Sequence, residues 1–366
     1  MTHPITILHD APLQSRNTFG VAARAPLLAE VADAAALPEL LARPEFNMQP
    51  PLILGSGSNL LFAADPDMPV IALTGQQVSY ASPSPVHGRG VGVRVRADAG
   101  VVWHTFVMDM LARGLGGLEN LALIPGTVGA APIQNIGAYG VEACEYIHAV
   151  EAFEPASGEL HRLDRDACAF AYRDSLFKRE RDRFIVTAVE FDLPRADADH
   201  ALKLDYAGIG DELAAMGIDS PTALDVANAV IAIRRRKLPD PAVTGNAGSF
   251  FKNPIVPAAQ AEALQREHPR LPVYPVAPFP ADAAAHDVHH GARCKLSAAW
   301  LIDACGWKGH RDGDAGIAES HALVLVNHGN ATGTQLLELA RRVASSVHER
   351  FGVAIEPEPR IVGATW

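Results

Sequence analysis

The sequence predicts an α+β fold in more than one domain, and three observations support this prediction. The chain has 366 residues, more than one small hydrophobic core usually organises, so about two or three domains are expected. Residues 92–98, 147–154 and 184–193 alternate in polarity or are rich in β-branched side chains, which is typical of strands. Residues 101–113 have a helical pattern. The middle third is therefore predicted to be an α+β domain.

A longer helix is predicted after the middle of the chain. It is expected to begin at Ser220, a favourable N-cap residue, with Pro221 at the first helical position, and to end near Leu238. Its apolar stripe runs through residues 226–233 at helical spacing and continues to Lys237. This pattern predicts that Lys237 lies on the inward face.

Three further segments have interpretable patterns. Residues 27–43 are predicted as a helical stretch interrupted at Pro38, and the apolar run 51–54 is predicted as a buried strand. Residues 334–351 are predicted as the last helix, with Gly352 as the residue that ends it.

Composition and charge exclude several classes of protein. The net charge of −11 argues against a nucleic-acid-binding surface and disfavours anionic substrates unless positive charge is concentrated locally, as it is in residues 234–237. The N-terminus lacks the pattern of a signal peptide, and no apolar stretch is long enough to cross a bilayer, so a cytoplasmic protein without a membrane partner is expected. The four cysteines have no C-x-x-C spacing and are predicted to be reduced.

The segment 272–293 is rich in Pro, Ala and His and is predicted to be a surface loop. His286, His289, His290 and Cys294 could be interpreted as ligands for zinc or nickel. Because their spacing matches no common site, a loop is favoured and no metal is predicted.

Two glycine-rich segments, Gly55–Asn59 and Ile124–Ala130, place several backbone N–H groups in turns, as in proteins that hold a pyrophosphate. Neither has Rossmann or P-loop spacing, and each alone is also consistent with an ordinary turn. The second continues to Gly140 through small residues interrupted by Asn135 and Tyr139. Such a segment makes a poor core but a good wall against a large planar cofactor.

Ser249 is a candidate functional residue. Gly248 exposes it, and Phe250 and Phe251 can exclude water, although a serine in a tight turn would have the same neighbours. A nucleophilic role is disfavoured because G-x-S-x-G is absent and no histidine lies nearby in the sequence. A role as an acid is the remaining functional interpretation.

Charged residues stand in two further motifs, Arg173 beside Tyr172 and Glu358 near the C-terminus, and each alone could be a surface charge. Together with the motifs above they form an ordered series that resembles the UDP-N-acetylenolpyruvoylglucosamine reductase (MurB) family from about Asn17 to Gly363. The segments that carry the resemblance are 55–61, 124–129, 134–140, 172–175, 237–241, 245–254 and 356–358.

The resemblance implies an FAD-binding domain of the vanillyl-alcohol-oxidase (PCMH) type followed by a C-terminal α+β substrate-binding domain. The expected divisions are 1–79 for the first FAD-binding subdomain, to which 352–366 returns, 80–237 for the second, and 238–351 for the substrate domain. A monomer is expected. NADPH would reduce the FAD, which would then reduce the enolpyruvyl group of a UDP-sugar to give UDP-N-acetylmuramate for peptidoglycan synthesis.

The resemblance also implies three catalytic residues. Hydride addition to the enolpyruvyl group leaves carbanion character next to a carboxylate, and this charge must be stabilised before the carbon is protonated. Arg173 would balance the charge, and a protonated Glu358 would donate a hydrogen bond to the carboxylate. Ser249 would protonate the carbon, since a hydroxyl held close in a dry site can serve a strongly basic carbanion.

Further positions are assigned to ligand binding by the same resemblance. Those assigned to FAD are Gly55, Ser56, Gly57, Ser58, Asn59, Leu60, Ile124, Gly126, Thr127, Gly129, Asn135, Gly137, Ala138, Tyr139 and Arg234. Those assigned to the UDP-sugar are Tyr172, Tyr206, Lys237, Asn253, Tyr274, Lys308 and His321. Three features depart from the family: a longer stretch at 279–294, His321 where an amide is common, and Pro359 after Glu358.

Two alternatives remain open from the sequence. An FAD-dependent oxidase on the same scaffold would pass electrons to oxygen and would not need Arg173, Ser249 and Glu358 together. A non-catalytic protein that binds flavin or a nucleotide sugar would bind its ligand without NADPH turnover, and the presence of all three residues argues against it.

Overall fold

The structure is a computed structural model that describes residues 4–85, 91–196, 200–276 and 292–366. The chain forms two compact units, each built from three segments. The first unit comprises Met1–Ala11, Ala25–Ser56 and Met68–Arg235, and the second comprises Pro12–Arg24, Gly57–Asp67 and Arg236–Trp366. No helix within the described ranges is long and apolar enough to cross a membrane.

Strands and helices are numbered here in chain order. The strands are β1 Ile5–Pro12, β2 Arg24–Val31, β3 Leu52–Leu54, β4 Leu60–Phe62, β5 Val70–Leu73, β6 Val78–Pro85, β7 Val91–Asp98, β8 Gly137–Ala138, β9 Val141–Glu142, β10 Ile147–Glu154, β11 Glu159–Asp164, β12 Ile185–Pro194, β13 Gly245–Ser249, β14 Ile255–Pro257, β15 Val273–Pro275, β16 Arg293–Leu296, β17 Arg311–Asp312, β18 Ala315–Ile317, β19 Val324–Asn327 and β20 Arg360–Val362. The helices are α1 Leu37–Leu41, α2 Pro44–Asn47, α3 Trp103–Ala112, α4 Leu176–Arg179, α5 Ile209–Ala215, α6 Ala223–Lys237, α7 Ala258–Glu267, α8 Ala298–Ala304 and α9 Gly333–Phe351.

The first unit contains two larger sheets and a small hairpin. One sheet has the order β1-β2-β5-β3, with β2, β5 and β3 parallel, and the other is antiparallel with the order β11-β10-β12-β7-β6. The central strand β12 is buried along its whole length. Its Phe191 packs against Trp103 and Phe106 of α3, so the apolar face of the helix covers this sheet and forms the main core. The strands predicted at 92–98, 147–154 and 184–193 and the helix at 101–113 are confirmed within a few residues.

The prediction for residues 27–43 is wrong in its first part. Residues 24–31 form β2, which pairs in parallel with β5, and only the later residues are helical, as α1 and α2. The pattern misled because leucine, alanine and glutamate favour a helix, and the apolar residues of so short a segment do not separate a strand from a helix by their spacing. The strand predicted at 51–54 is confirmed as β3.

The second unit is built around α9 and two larger sheets. The sheets have the orders β13-β19-β18-β17 and β14-β16-β15, and β20 pairs in parallel with β4. Thr332 and Gln335 form a reciprocal capping box at the start of α9, and Gly352 ends it with φ 63°. The predicted stripe from residue 336 to 351 is buried, so this helix prediction is confirmed.

The predicted start and inward face of α6 need correction. The helix begins at Ala223, because Thr222 Oγ1 accepts the Asp225 N–H at 3.3 Å and Asp225 Oδ2 accepts the Thr222 N–H at 2.9 Å, a reciprocal cap that Ser220 does not have in the described contacts. Val226, Val230 and Ile233 are buried as predicted. Lys237 is exposed, because the last turn extends beyond the apolar cluster that covers the rest of the helix.

The segment predicted as a loop at 272–293 is bounded by strand residues. Val273–Pro275 and Arg293–Leu296 pair with each other as β15 and β16, which corrects the ends of the prediction. Backbone pairing between two short strands leaves little sequence signal when one of them contains prolines. Residues 277–291 lie outside the described part of the chain.

Candidate functional site

The glycine-rich segments of the first unit pack against each other. A Cβ atom added to Gly55 would lie 2.9 Å from Thr127 Oγ1, and one added to Gly129 would lie 2.5 Å from the Cβ of Ala99. Gly126 has φ 135°, a conformation that side chains rarely adopt. The close approach therefore requires glycine at positions 55 and 129, and the positive φ favours glycine at position 126. Ser56 is exposed next to Gly55, and Ile124 packs at the edge of the main core.

The rest of the first glycine segment belongs to the second unit. Gly57 has φ 64°, and a Cβ there would overlap the carbonyl oxygen of Arg16. Asn59 accepts the Arg360 N–H at 3.0 Å, and its side chain donates to the Glu358 carbonyl at 3.4 Å. This loop, with Ser58 in its turn and Leu60 at the start of β4, is thus tied to the C-terminal segment that carries Glu358.

Asn135 is completely buried, and its side chain is committed to the protein. Its Nδ2 donates to Glu142 Oε2 at 2.8 Å and to the Ala171 carbonyl at 3.1 Å, and its Oδ1 accepts the Cys144 N–H at 3.0 Å. Its φ of 47° is left-handed, which Asn tolerates better than most residues. Any contact between Asn135 and a cofactor would therefore involve its backbone.

Tyr139 lies at the tip of the hairpin formed by β8 and β9. Tyr139 and Gly140 have φ values of 50° and 82°, the signs required by a type I′ turn. The turn places Tyr139 edge-on against Tyr206, with ring centroids 5.1 Å apart. Burial raises the pKa of the Tyr139 phenol, while the neighbouring Arg234 guanidinium opposes this shift.

Arg234 on α6 is a half-buried cation whose Nε atom is buried. Burial lowers its pKa, and the hydrogen bond to Tyr139 partly offsets this effect. Within the described ranges, its Nε has no hydrogen-bond partner. A buried guanidinium nitrogen in this state is costly unless an acceptor binds it, so this position fits an anionic or carbonyl group of a ligand.

His104 on α3 belongs to the same neighbourhood and was not found from the sequence, because a single histidine in a helix carries no distinctive signal. Its Nδ1 accepts the Leu123 N–H at 3.0 Å, which assigns the proton of the neutral ring to Nε2. Its pKa is lowered by burial and then by Arg235 and Arg234. A neutral His104 therefore fixes the loop before Ile124.

Arg173 is held against the hairpin within the first unit. Its Nη2 donates to the Gly137 carbonyl at 2.7 Å, and its guanidinium lies 5.7 Å from the centroid of the Tyr172 ring. Its φ is 54°, and Lys178 Nζ donates to its carbonyl at 2.8 Å. The structure thus brings Arg173 into contact with Tyr172 and Gly137, residues from two separate motifs.

Ser249 and Glu358 are brought close by the backbone of the second unit. Ser249 ends β13 opposite Val324 of β19, after Gly248 with φ 70°. The next residue, Phe250, accepts the Glu358 N–H through its carbonyl at 2.7 Å. Phe250 is fully buried, so an apolar side chain anchors the strand that presents Ser249 beside the C-terminal segment.

Three predicted substrate-binding residues share one electrostatic neighbourhood in the second unit. Burial lowers the pKa of His321, and Lys237 and then Lys308 lower it further. His321 Nδ1 accepts the Leu323 N–H at 3.2 Å, so its position is fixed relative to β19. The two lysines are exposed and the histidine is neutral near pH 7, which suits the binding of an anion.

Asn253 and Tyr274 have structural partners as well. Asn253 Oδ1 accepts the Ala298 N–H at 2.9 Å and so caps the first turn of α8. Tyr274 lies on β15 with half of its surface exposed, and Lys295 Nζ is 5.7 Å from its ring centroid.

No group of three metal-ligating side chains occurs among the residues that the structure describes. His286, His289 and His290 lie outside those residues. Cys294 is a half-buried free cysteine.

Comparisons with known proteins find two family models that match this chain. A family model described as an FAD binding domain matches residues 25–164, and one described as UDP-N-acetylenolpyruvoylglucosamine reductase, C-terminal domain, matches residues 240–362. The predicted fold class and the prediction of FAD as cofactor are confirmed.

Curated relatives cover nearly the whole chain. The UDP-N-acetylenolpyruvoylglucosamine reductase of Xanthomonas axonopodis pv. citri (strain 306) is 55% identical over 97% of this chain and 96% of its own length. That of Xylella fastidiosa (strain M12) is 54% identical over 99% and 98%. The crystal structure of the reductase (MurB) from Thermus caldophilus matches with a TM-score of 0.63 and 26% identity, covering 98% of both chains. This chain is therefore a member of the UDP-N-acetylenolpyruvoylglucosamine reductase (MurB) family.

Proposed function

We propose that this protein is an FAD-dependent oxidoreductase that reduces the enolpyruvyl group of UDP-N-acetylenolpyruvoylglucosamine to give UDP-N-acetylmuramate. The relatives that cover almost the whole chain carry the name of this substrate. The observation that carries the proposal is the backbone hydrogen bond between Phe250 and Glu358, because Ser249 directly precedes Phe250, which supports a shared site for Ser249 and Glu358. The product is a precursor of peptidoglycan.

The first unit has the features that FAD binding requires. The turns at Gly55 and Gly126 are proposed to approach the pyrophosphate closely, because no side chain at either position blocks the backbone. Arg234 offers a buried nitrogen without a partner among the described residues, and Tyr139 supports it. When bound, FAD supplies the hydride that reduces the substrate double bond.

The protein residues are proposed to stabilise the developing charge and to supply the proton. Arg173, held by the Gly137 carbonyl, is proposed to balance the negative charge that develops on the substrate carboxylate, with Glu358 as a second hydrogen-bonding partner. Ser249 is proposed to donate its hydroxyl proton to the adjacent carbon.

Binding of the UDP-sugar is proposed for Tyr172, Tyr206, Lys237, Asn253, Tyr274, Lys308 and His321. Lys237 and Lys308 supply positive charge within a chain of net charge −11, which supports an anionic ligand at this position. NADPH is proposed as the reductant and would use the same charged site, since it also carries a pyrophosphate.

The three-part division at 79 and 237, a monomeric state and a cytoplasmic location are also part of the proposal. Each follows from the family assignment together with the sequence.

The test separates the two half-reactions by anaerobic stopped-flow spectroscopy. Wild-type holoenzyme is reduced with NADPH and then mixed with the enolpyruvyl UDP-sugar. Return of the oxidised flavin spectrum with formation of the lactyl ether is expected. Flavin that stays reduced until air is admitted would instead support the oxidase, and a lack of reduction by NADPH would support a binding protein.

Substitution of Ser249 by Ala tests the proton-donor role. Flavin reduction by NADPH should remain nearly normal, while the second half-reaction should slow by about 10²-fold or more, the usual contribution of a positioned acid. An equal loss in both half-reactions would contradict the role.

Lys237→Ala should weaken binding of both NADPH and the UDP-sugar, and unchanged affinities would contradict that assignment.

A further inference from the structure

Glu142, a carboxylate on β9, lies beside the arginine proposed to stabilise the developing charge. Glu142 pairs in register with Gly137 of β8, whose carbonyl accepts Arg173 Nη2 at 2.7 Å. A Cβ added to Gly137 would lie 3.0 Å from Glu142 Cγ and 3.2 Å from Arg173 Nη1. The acidic and basic side chains therefore flank the same backbone position.

The position of the Glu142 side chain is fixed by its neighbours. Its Oε2 accepts Asn135 Nδ2 at 2.8 Å. Glu142 and Glu145 form a reciprocal capping box in which the Glu142 side chain accepts the Glu145 N–H, and Glu145 Oε1 accepts the Glu142 N–H at 2.9 Å. Cys144 Sγ is a further weak donor at 3.8 Å. A neutral hydrogen-bond acceptor would be enough to cap the Glu145 N–H. The negative charge of Glu142 beside Arg173 therefore has a role beyond this cap.

We propose that Glu142 is a positioning residue for Arg173. It holds the guanidinium against the Gly137 carbonyl, in the orientation in which Arg173 can stabilise the charge that develops on the carboxylate of the substrate. This inference rests on the proposed function, because it assigns Glu142 a part in the second half-reaction alone.

The titration of Glu142 should make the second half-reaction depend on pH. Burial raises its pKa, whereas the Asn135 hydrogen bond and then the Arg173 charge lower it, and Glu145 raises it again. Cys144, the other titratable neighbour, stays protonated because burial raises its pKa to about 11. Protonation of Glu142 removes the negative charge beside Arg173, so the second half-reaction should lose rate as the pH falls through the pKa of Glu142.

The experiment compares Glu142→Gln with Glu145→Gln in the holoenzyme. Both remove one negative charge from the same capping box, but only the first removes the charge that flanks Arg173. With Glu142→Gln, reduction by NADPH should stay within about twofold of wild type. Transfer to the enolpyruvyl UDP-sugar should slow about tenfold at pH 8, the effect of losing one modest interaction, and should no longer respond to acid in the range where wild type does. Glu145→Gln should keep the acid response, moved toward lower pH because Glu145 no longer raises the pKa of Glu142.

Glu142→Asp provides the second variant, because it retains the charge on a shorter side chain. It should restore the acid response with a rate between those of wild type and Glu142→Gln. The inference is overturned if Glu142→Gln keeps the wild-type pH profile, or if it slows both half-reactions equally, since a purely structural role would do the latter. A wild-type enzyme that is reduced by NADPH but does not react with the UDP-sugar would instead refute the proposed function, and this role with it.

Discussion

Removal of the Asn135 side chain should loosen the β8–β9 hairpin by an amount that the structure allows us to work out. Asn135→Ala leaves the buried Cys144 N–H without its acceptor, which costs about 1–3 kcal/mol. It also removes the hydrogen bond to the Glu142 carboxylate, which costs about 1.5–3 kcal/mol. Loss of the hydrogen bond to the Ala171 carbonyl adds little to this cost, because that carbonyl still accepts the Asp174 N–H. Alanine at φ 47° adds about 1 kcal/mol. The total is about 3.5–7 kcal/mol.

Hydrogen exchange of the peptide containing the Cys144 amide measures this loss where it occurs. Exchange of the Cys144 amide should accelerate by well over tenfold, because a tenfold change corresponds to about 1.4 kcal/mol and the expected loss is larger. Asn135→Gly is the matched variant: it loses the same hydrogen bonds but tolerates the left-handed backbone, so it should exchange about fivefold more slowly than Asn135→Ala. Acceleration of less than about tenfold in Asn135→Ala would refute the reasoning, because it would mean that the three side-chain bonds do not hold the hairpin.

Three other outcomes are expected. Gly333→Ala should lower the free energy of unfolding of the second unit by about 1–3 kcal/mol in urea, because the added Cβ would overlap the Phe62 carbonyl. Alanine at an exposed serine of the same helix is the control and should change this free energy by less than about 0.5 kcal/mol. Similar values for the two variants would contradict the close packing at Gly333. Burial raises the pKa of Cys144 to about 11 and that of Cys168 to about 12, so a thiol reagent at pH 8 should label only the other two cysteines rapidly. Rapid labelling of all four would show that the core opens. Because burial and nearby lysines lower the pKa of His321, binding of a pyrophosphate ligand there should raise that pKa and take up protons near pH 6. Calorimetry in two buffers of different ionisation enthalpy would detect the uptake, and its persistence in His321→Asn would contradict the assignment.

Much of the fold could be predicted because its strongest signals are local. The last helix combines an apolar stripe, a cap and a terminal glycine, so its prediction was correct. Residues 24–31 lack such agreement: leucine, alanine and glutamate favour a helix, and pairing with β1 and the distant strand β5 makes them a strand. The start of α6 was misplaced because Asp225, three residues after Thr222, decides between two plausible caps.

The candidate site divides in the same way. Its turns were predictable because Gly55, Gly57 and Gly129 have no room for a side chain. Glu142 and His104 were not found, because their importance depends on which distant residues they approach, and neither belongs to a motif that would mark it.

The backbone of the first unit shows why these connecting residues matter. Asn135, Tyr139 and Arg173 all have left-handed φ values, a conformation that costs about 1–2 kcal/mol at a residue with a side chain. Each is held by a specific contact: buried side-chain bonds for Asn135, Arg234 for Tyr139, and the Gly137 carbonyl for Arg173. The protein's own contacts therefore offset this strain at these three residues, so the first-unit part of the candidate site is largely preorganised. Loss of one of these contacts should relax the local backbone first, and catalysis should therefore be more sensitive to such substitutions than global stability is.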